Sequence, residues 1–259
     1  MKSFIGVFVG LFLVGQNLPT YNIEPYPDNS LKVETYRELG MPMPNEDWNA
    51  SEYKRVTKVI KGYYDVDKWS IPRKGSEYSG DLFDKIVDLN NFFIIIDKDV
   101  FIQERLEEHD ALMRSVAQLL NMYYEPEAET QRFGAEVLEL MILSAQTSEY
   151  SVQLLQELKA MMSEKGVKNG ELDLMTDKLT LGISVTIIEL LKIIENDYYQ
   201  YTTSDLEQFS TELQFWVKGM VHYLNEIQKA EINTQIEVSI SAFENKIIRK
   251  ELTVLKKVL

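Results

Sequence analysis

Residues 179–194 read LTLGISVTIIELLKII, a stretch whose apolar side chains point in almost every direction around a helix. It lies within residues 172–197, which contain no proline. A helix that is apolar all round is typical of one buried by its neighbours. The stretch therefore predicts a central helix with other helices around it.

The chain on both sides of this stretch has a helical composition. From Asp81 to Leu259 the only proline is Pro126, and Leu, Ile, Glu, Lys, Gln and Met are abundant. These residues favour helices, whereas proline removes a backbone donor and clashes inside one. The predicted fold class is all-α: a single multi-helix, bundle-like domain of about six to eight helices over residues 50–259.

Apolar stripes, caps and breakers place the individual helices. The short run Phe92–Ile96 has no period and fits either a buried strand or a buried turn region. The predicted helices cover 51–61, a segment from Asp81, about 99–123, about 126–146 opened by Pro126, and a segment from Ser148 that Gly166 ends in a left-handed conformation.

Two capping boxes predict the last pair of helices. Ser204 with Glu207 precedes one apolar stripe, and Thr234 with Glu237 precedes a second. Because the two stripes lie on opposite sides of a continuous helix, we expect a break near Asn233. The stripe residues are Leu206, Phe209, Leu213, Trp216, Met220, Leu224 and Ile227, then Ile236, Ile240, Phe243, Ile247, Val254 and Val258.

The N-terminus predicts export. After Lys2, residues 4–15 form an uncharged apolar run that has the length of a signal-peptide core and is too short to cross a bilayer. The alternative is an N-terminal strand or buried helix. We assign residues 1–16 to a signal peptide and 17–49, which hold five of the seven prolines, to an extended arm. The expected location is periplasmic or extracellular, with no transmembrane segment in the mature chain.

Composition and motifs exclude several function classes. The chain has no Cys, two His and a formal net charge of −14, which argues against disulfides, thiolate chemistry and nucleic-acid binding. No phosphate-binding loop, dinucleotide fingerprint or hydrolase elbow occurs. We therefore predict no catalytic residues, no metal and no cofactor.

Three polar clusters have the residue types of a site without its spacing. The acidic segment Asp97–Asp99 lacks the glycine and the oxygen ligand of a calcium loop. Residues 107–110 read EEHD, but consecutive helical residues diverge, so we expect a solvated face. His222 and Glu226 are four apart, which predicts a hydrogen-bonded pair on one helix face.

The candidate binding loop is Lys68–Gly80, in which Trp69, Arg73, Lys74 and Tyr78 combine aromatic rings and cations before a helix start. A helix N-terminus with nearby cations can hold an anion. The competing interpretation is a connecting loop, with Ser79 or Asp81 as a helix cap and Trp69 anchoring it to the core. A second aromatic group, Tyr198, Tyr199 and Tyr201, predicts packing at a helix end.

The C-terminal segment is basic within an acidic chain. Residues 240–259 hold five Lys and Arg against two Glu, together with an apolar stripe. We expect this helix to dock on acidic helices around 104–108 or 125–129. The alternative is a basic amphipathic helix on an anionic membrane.

These observations favour a non-enzymatic exported protein that acts by binding another protein or an envelope component. The alternative is a small-ligand binder or carboxylate-based enzyme with a pocket between helices near Trp69–Tyr78. Converging buried carboxylates there would favour the alternative, and an exposed apolar surface would favour the interaction protein.

Overall fold

A computed structural model of the chain describes residues 28, 30–124, 133–166, 170–195 and 203–259. Every regular element in these ranges is helical, which confirms the predicted all-α class. Eight of the ten α-helices in these ranges have seven or more residues. They are α1 (Val33–Glu38), α2 (Ala50–Tyr64), α3 (Gly80–Ile86), α4 (Phe93–Ile96), α5 (Ile102–Tyr123), α6 (Gly134–Glu164), α7 (Gly170–Ile194), α8 (Thr203–Met220), α9 (Glu226–Ala242) and α10 (Lys246–Val258).

The helices group into two compact units whose boundary falls inside α6, between Thr147 and Ser148. We call Thr20–Thr147 the N-unit, and the C-unit is described from Ser148 to Leu259. The single domain expected over 50–259 stays a prediction. In the described ranges, no helix has both the length and the apolar content needed to cross a membrane.

In the N-unit, α2 packs on α5 through one apolar face. Asn49 caps α2 by accepting hydrogen bonds from the backbone of Ser51 and Glu52, and the Glu52 side chain accepts from the Asn49 backbone. Tyr53, Val56 and Ile60 recur at helical spacing and are fully buried, which confirms the helix predicted over 51–61.

The segment before α2 contains helix and buried rings. Residues 30–49 of the predicted extended arm are described by the structure. They include α1, and the side chains of Tyr36 and Trp48 in this segment are almost completely buried. The Tyr36 hydroxyl donates to the Ser70 carbonyl at 2.6 Å, which ties this segment to the loop that follows α2. The predicted signal peptide and the rest of the arm, except for residue 28, lie outside the described residues.

The ambiguous run 92–96 is helical. Phe92 ends a 3₁₀ turn that begins at Leu89, and residues 93–96 form α4, which packs on α5. Phe92 and Ile95 are buried while Phe93 and Ile96 are exposed, a division that suits one helical turn lying on a neighbour.

The predicted break at Ser148 is wrong, because α6 is one helix of 31 residues. The hydroxyl of Thr147 donates to the carbonyl of Leu143 at 2.9 Å, the back-bonding that lets Ser and Thr sit inside a helix instead of capping one. The predicted end is confirmed: Gly166 follows α6 with φ of 70°, a conformation that glycine adopts without strain. Pro126 lies outside the described residues.

The central position predicted for α7 is wrong. One face packs on α9 and on the C-terminal half of α6, where Leu172 and Met175 meet Leu155. On its other face, Leu174, Leu181 and Val185 are 41–54% exposed. The sequence is apolar on two sides of the helix, and the fold buries only one of them.

The predicted break near Asn233 and the capping box at Thr234 are also wrong, because α9 runs unbroken through both positions. The real caps are Asn225, whose side chain accepts from the backbone N–H groups of Ile227 and Gln228, and Asn245, which caps α10 in the same way. Helix α8 begins at Thr203, so Ser204 lies in its first turn and does not cap it.

The C-terminal helix α10 is docked, as expected, but with a different partner and a different face. It packs on α8 and α9. Its buried residues are Ile248, Leu252 and Leu255, whereas Ile247 of the predicted stripe is 48% exposed. The segment 125–129, one of the two predicted docking sites, lies outside the described residues.

Candidate functional site

The candidate loop lies in the N-unit between a 3₁₀ turn, Lys68–Ser70, and α3. The chain reverses at Gly75, which has φ of 67°. Ser79 precedes α3 but makes no side-chain cap; its hydroxyl oxygen instead accepts a hydrogen bond from the Arg73 backbone at 3.0 Å. Local hydrogen bonds therefore fix the shape of the loop.

Both predicted cations of the loop face carboxylates of α6. Arg73 Nε donates to Glu136 Oε1 at 2.9 Å, and the same oxygen accepts from the Lys74 backbone N–H at 2.9 Å. Lys74 Nζ lies 2.6 Å from Glu139 Oε1. Glu136 is only 3% exposed, so its charge is compensated inside the protein by Arg73.

The two predicted aromatic residues lie in different surroundings. Trp69 packs against Phe133, with 5.8 Å between ring centroids, and the Arg73 guanidinium carbon lies 4.8 Å from the same ring. Tyr78 is 42% exposed, and the Lys32 ammonium lies 5.8 Å from its ring centroid. The fold thus brings Trp69, Arg73 and Lys74 together with Phe133 and the α6 carboxylates, and gives Tyr78 a separate neighbour.

A buried tyrosine holds the middle of the loop. The Tyr123 hydroxyl donates to the Pro72 carbonyl at 2.7 Å, and the ring packs edge-on against Phe83 and Phe133. Burial raises the pKa of Tyr123 well above its usual value, and the nearby Glu136 charge acts in the same direction. Tyr123 therefore stays a neutral donor, and the arrangement fits an anchored connecting loop.

The acidic segment 107–110 diverges as expected, but it is not uniformly solvated. Glu107 accepts a hydrogen bond from Gln103, Glu108 accepts one from the backbone N–H of Ala50, and Asp110 pairs with Arg114. His109, by contrast, is 1% exposed, so the expected solvated face is wrong at this position.

His109 is a buried neutral histidine. Its Nε2 lies 3.2 Å from the Thr147 carbonyl oxygen, which joins α5 to α6 inside the N-unit. Burial lowers the pKa of His109 to about 4, while this hydrogen bond and the Asp110 charge oppose the shift. A ring that is neutral near pH 7 can donate this hydrogen bond without carrying a buried charge.

The predicted pair of His222 and Glu226 is wrong because they do not share a helix. His222 lies in a 3₁₀ turn, Val221–Tyr223, and Glu226 starts α9 and pairs with Lys229. The His222 ring instead packs on Tyr223, with 3.7 Å between centroids.

The carboxylate of Glu149 lies within the electrostatic influence of His222, which no sequence pattern indicated. Burial raises the pKa of Glu149, and the hydrogen bond from Gln153 and the charge of His222 act in the opposite direction. A methyl group added at Gly219 would lie 3.4 Å from Glu149 Oε2, so glycine lets this carboxylate approach α8 closely. The two residues are far apart in the sequence, which is why spacing could not find them.

In the described ranges, no group of three or more His, Asp or Glu residues is arranged to hold a metal ion. Tyr198, Tyr199 and Tyr201 lie outside those ranges. Comparison of the chain with protein-family models, curated proteins and solved structures returned no match.

Proposed function

We propose that this chain is an exported, non-enzymatic protein that works by binding another protein of the cell envelope or its surroundings. Export is supported by the apolar run of residues 4–15 behind Lys2. Non-enzymatic binding is supported by the candidate loop, whose Arg73 and Lys74 already face Glu136 and Glu139. Two carboxylates do converge on this loop, as the alternative of a carboxylate-based enzyme expects, but each is paired with a loop cation and holds the loop in place, so the ion pairs rather than the convergence speak against that alternative.

The observation that carries the proposal is an exposed apolar patch in the N-unit. Phe93, Ile96 and Phe101 fall within nine consecutive residues and are 49%, 47% and 74% exposed. We call these three side chains the apolar patch. Phe93 and Ile96 are three apart on α4 and share a face, and Phe101 directly precedes α5.

Grouped side chains of this kind are typical of binding surfaces. Single exposed apolar residues are ordinary, but aromatic and large aliphatic side chains that gather at one place are enriched where proteins meet. Asp97, Lys98 and Asp99 lie between Ile96 and Phe101 in the sequence, so charged residues accompany the apolar ones. We expect a partner with an apolar cleft that receives the two phenylalanines.

The test compares three forms of the secreted protein as bait for an envelope extract. A Phe93→Ser and Phe101→Ser double variant should lose a partner that the wild type retains. Phe215→Ser is the matched control, because Phe215 is 77% exposed on α8 in the C-unit. Identical capture by all three forms would contradict a role for the apolar patch.

Export is tested separately on the secreted form. Intact mass or N-terminal sequencing should place its first residue between Gln16 and Thr20. A protein that still begins at Met1 and folds in the cytoplasm would contradict export and leave the binding experiment informative.

A further inference from the structure

The outward face of α7 carries a regular apolar row. Leu174, Leu181 and Val185 are 53%, 54% and 41% exposed, and Ile188 is partly exposed. The buried face of the same helix holds a different set: Leu172, Met175, Ile183, Ile187, Leu190 and Leu191. The outward row is therefore not needed for the packing of the C-unit.

The spacing of this row is that of a helix–helix contact. With Lys178 and Lys192 included, its members alternate at four and three residues, the heptad period by which one helix keeps a narrow stripe against another. We call the row the α7 seam; it consists of Leu174, Lys178, Leu181, Val185, Ile188 and Lys192. At 1.5 Å per residue it is about 27 Å long.

We propose that the α7 seam binds a second copy of this chain, with the two α7 helices antiparallel about a two-fold axis. The axis passes midway between Leu181 and Val185, so that each Leu181 meets the partner subunit's Val185. The outer contacts then pair Lys178 with the partner's Ile188, and Leu174 with the partner's Lys192. This inference does not depend on the apolar patch or on export.

The charges of the seam favour this orientation. In a parallel, in-register pair, Lys178 would face Lys178 of the partner subunit and Lys192 would face its own counterpart, which is repulsive. In the antiparallel pair each lysine faces an apolar side chain, and its stem can cover that side chain while the ammonium reaches water. A polar residue such as lysine at a seam position specifies the register of the pair at a cost in stability.

Charges at the two ends of α7 also favour the antiparallel orientation. The first turns of α7 carry Glu171 and Asp173, and Lys192 lies in its last turn. Antiparallel pairing brings the acidic start of each helix, where Asp173 already pairs with Lys159, beside the partner subunit's Lys192, which at present lies 2.8 Å from Glu189 of its own chain. The two-fold axis closes the assembly at two copies, since both copies use the same surface.

The size of the seam sets the expected affinity. Stable interfaces usually bury about 1,200–2,000 Å² in total, and one seam of six residues per chain is small beside that. We therefore expect a dissociation constant in the micromolar range or weaker. The dimer should be visible by sedimentation equilibrium of the full chain over about 5 to 500 µM.

The first test changes one exposed residue of the seam. Leu181→Glu should weaken self-association at least about tenfold, because two carboxylates enter the centre of the interface. Phe215→Glu, on the exposed face of α8, is the matched control and should associate like the wild type. Thermal melting checks that both variants stay folded. The proposal would be overturned if the wild type is monomeric throughout, or if the Leu181→Glu variant associates equally well. A monomeric wild type would point to a helix of another protein as the occupant of the α7 seam.

The second test reads orientation by cross-linking, which the cysteine-free chain allows. A mixture of Leu174→Cys and Lys192→Cys chains should form a disulfide-linked heterodimer under mild oxidation. Each variant alone should cross-link much less, because antiparallel pairing places identical positions at opposite ends of the seam. Efficient cross-linking of Leu174→Cys alone would indicate a parallel pair and contradict the proposed dimer.

Discussion

The N-unit and the C-unit bury different kinds of side chain. The N-unit encloses most of the large aromatic residues buried in the described ranges: Tyr36, Trp48, Tyr53, Phe83, Phe92, Tyr123 and Phe133. In the C-unit the buried aromatic residues described are Phe209 and Trp216, and the rest of its described apolar core consists of aliphatic residues and methionine.

The difference follows from how each unit satisfies its backbone. The N-unit connects short helices by turns, whose carbonyls need partners, and buried tyrosines supply them: Tyr53 donates to Ile86 at 2.5 Å and Tyr123 to Pro72 at 2.7 Å. The longer helices of the C-unit bond their own backbone, so apolar faces are enough to join them. We conclude that buried polar contacts stabilise the N-unit and that apolar helix faces stabilise the C-unit.

The test with the largest expected effect on stability removes α10 from the C-unit. Deleting residues 246–259 withdraws Ile248, Leu252 and Leu255, each at most 1% exposed, from the core. At about 1.5–3 kcal/mol for each buried side chain, the loss of about 5–9 kcal/mol is comparable to the whole stability of a typical domain. Thermal melting should show that the C-unit unfolds or falls to a much lower Tm.

Neighbouring isoleucines provide the matched control for that deletion. Ile248→Ala should cost about 2–5 kcal/mol, and Ile247→Ala much less, because Ile247 is 48% exposed. Equal losses would contradict the packing of α10. Neither the full chain nor the truncated form should sediment with anionic vesicles, since the apolar face of α10 is already covered and the chain is acidic.

The next test removes a buried charge from the N-unit. Glu136→Gln keeps the shape of the side chain but leaves Arg73, whose side chain is 17% exposed, without its carboxylate. Breaking a buried pair on one side costs about 3 kcal/mol or more, measured by urea unfolding. Asp65→Asn, which removes the exposed pair with Lys61, should cost less than about 1 kcal/mol. If both variants lose equally little, polar contacts do not stabilise the N-unit.

The smallest expected effect is a pH dependence from His109. Its pKa is about 4 in the folded protein and about 6.5 when unfolded, so the unfolded chain binds more protons between these values. The stability that neutral His109 contributes is complete above pH 6.5 and declines as the pH falls towards 4. Between pH 7 and 4.5 the decline is about 2–3 kcal/mol.

The comparison for this experiment is His109→Gln. Between pH 7 and 4.5, the unfolding free energy of the wild type should fall about 2–3 kcal/mol further than that of His109→Gln, measured by urea unfolding at each pH. Parallel curves for the two proteins would mean that His109 is not held neutral by burial.

Local sequence signals predicted some features correctly. The cap at Gly166 and the helix over 51–61 follow from rules that act within a few residues, so they needed no tertiary information. Wrong boundaries arose where such signals were ambiguous. Thr234 can cap a helix or lie inside one, and in α9 its hydroxyl bonds back to the Ala230 carbonyl at 2.9 Å.

The candidate loop was located by composition, but its partners were not. Glu136 and Glu139 lie more than sixty residues beyond Arg73 and Lys74, and no spacing rule links them. The same limit hid the approach of Glu149 to Gly219 of α8. Contacts between distant segments depend on how helices dock, which a single sequence does not display through local periodicity.

The sequence by itself determined the helical class of this protein, because proline placement and helix-favouring residues act on the backbone locally. Only the tertiary structure decided which apolar faces are buried. On α7 both Leu172 and Leu174 satisfy a helical stripe, and on α10 both Ile247 and Ile248 do. Burial selects one of each pair, since a helix turns a single face to a given neighbour and leaves the other for solvent or a partner.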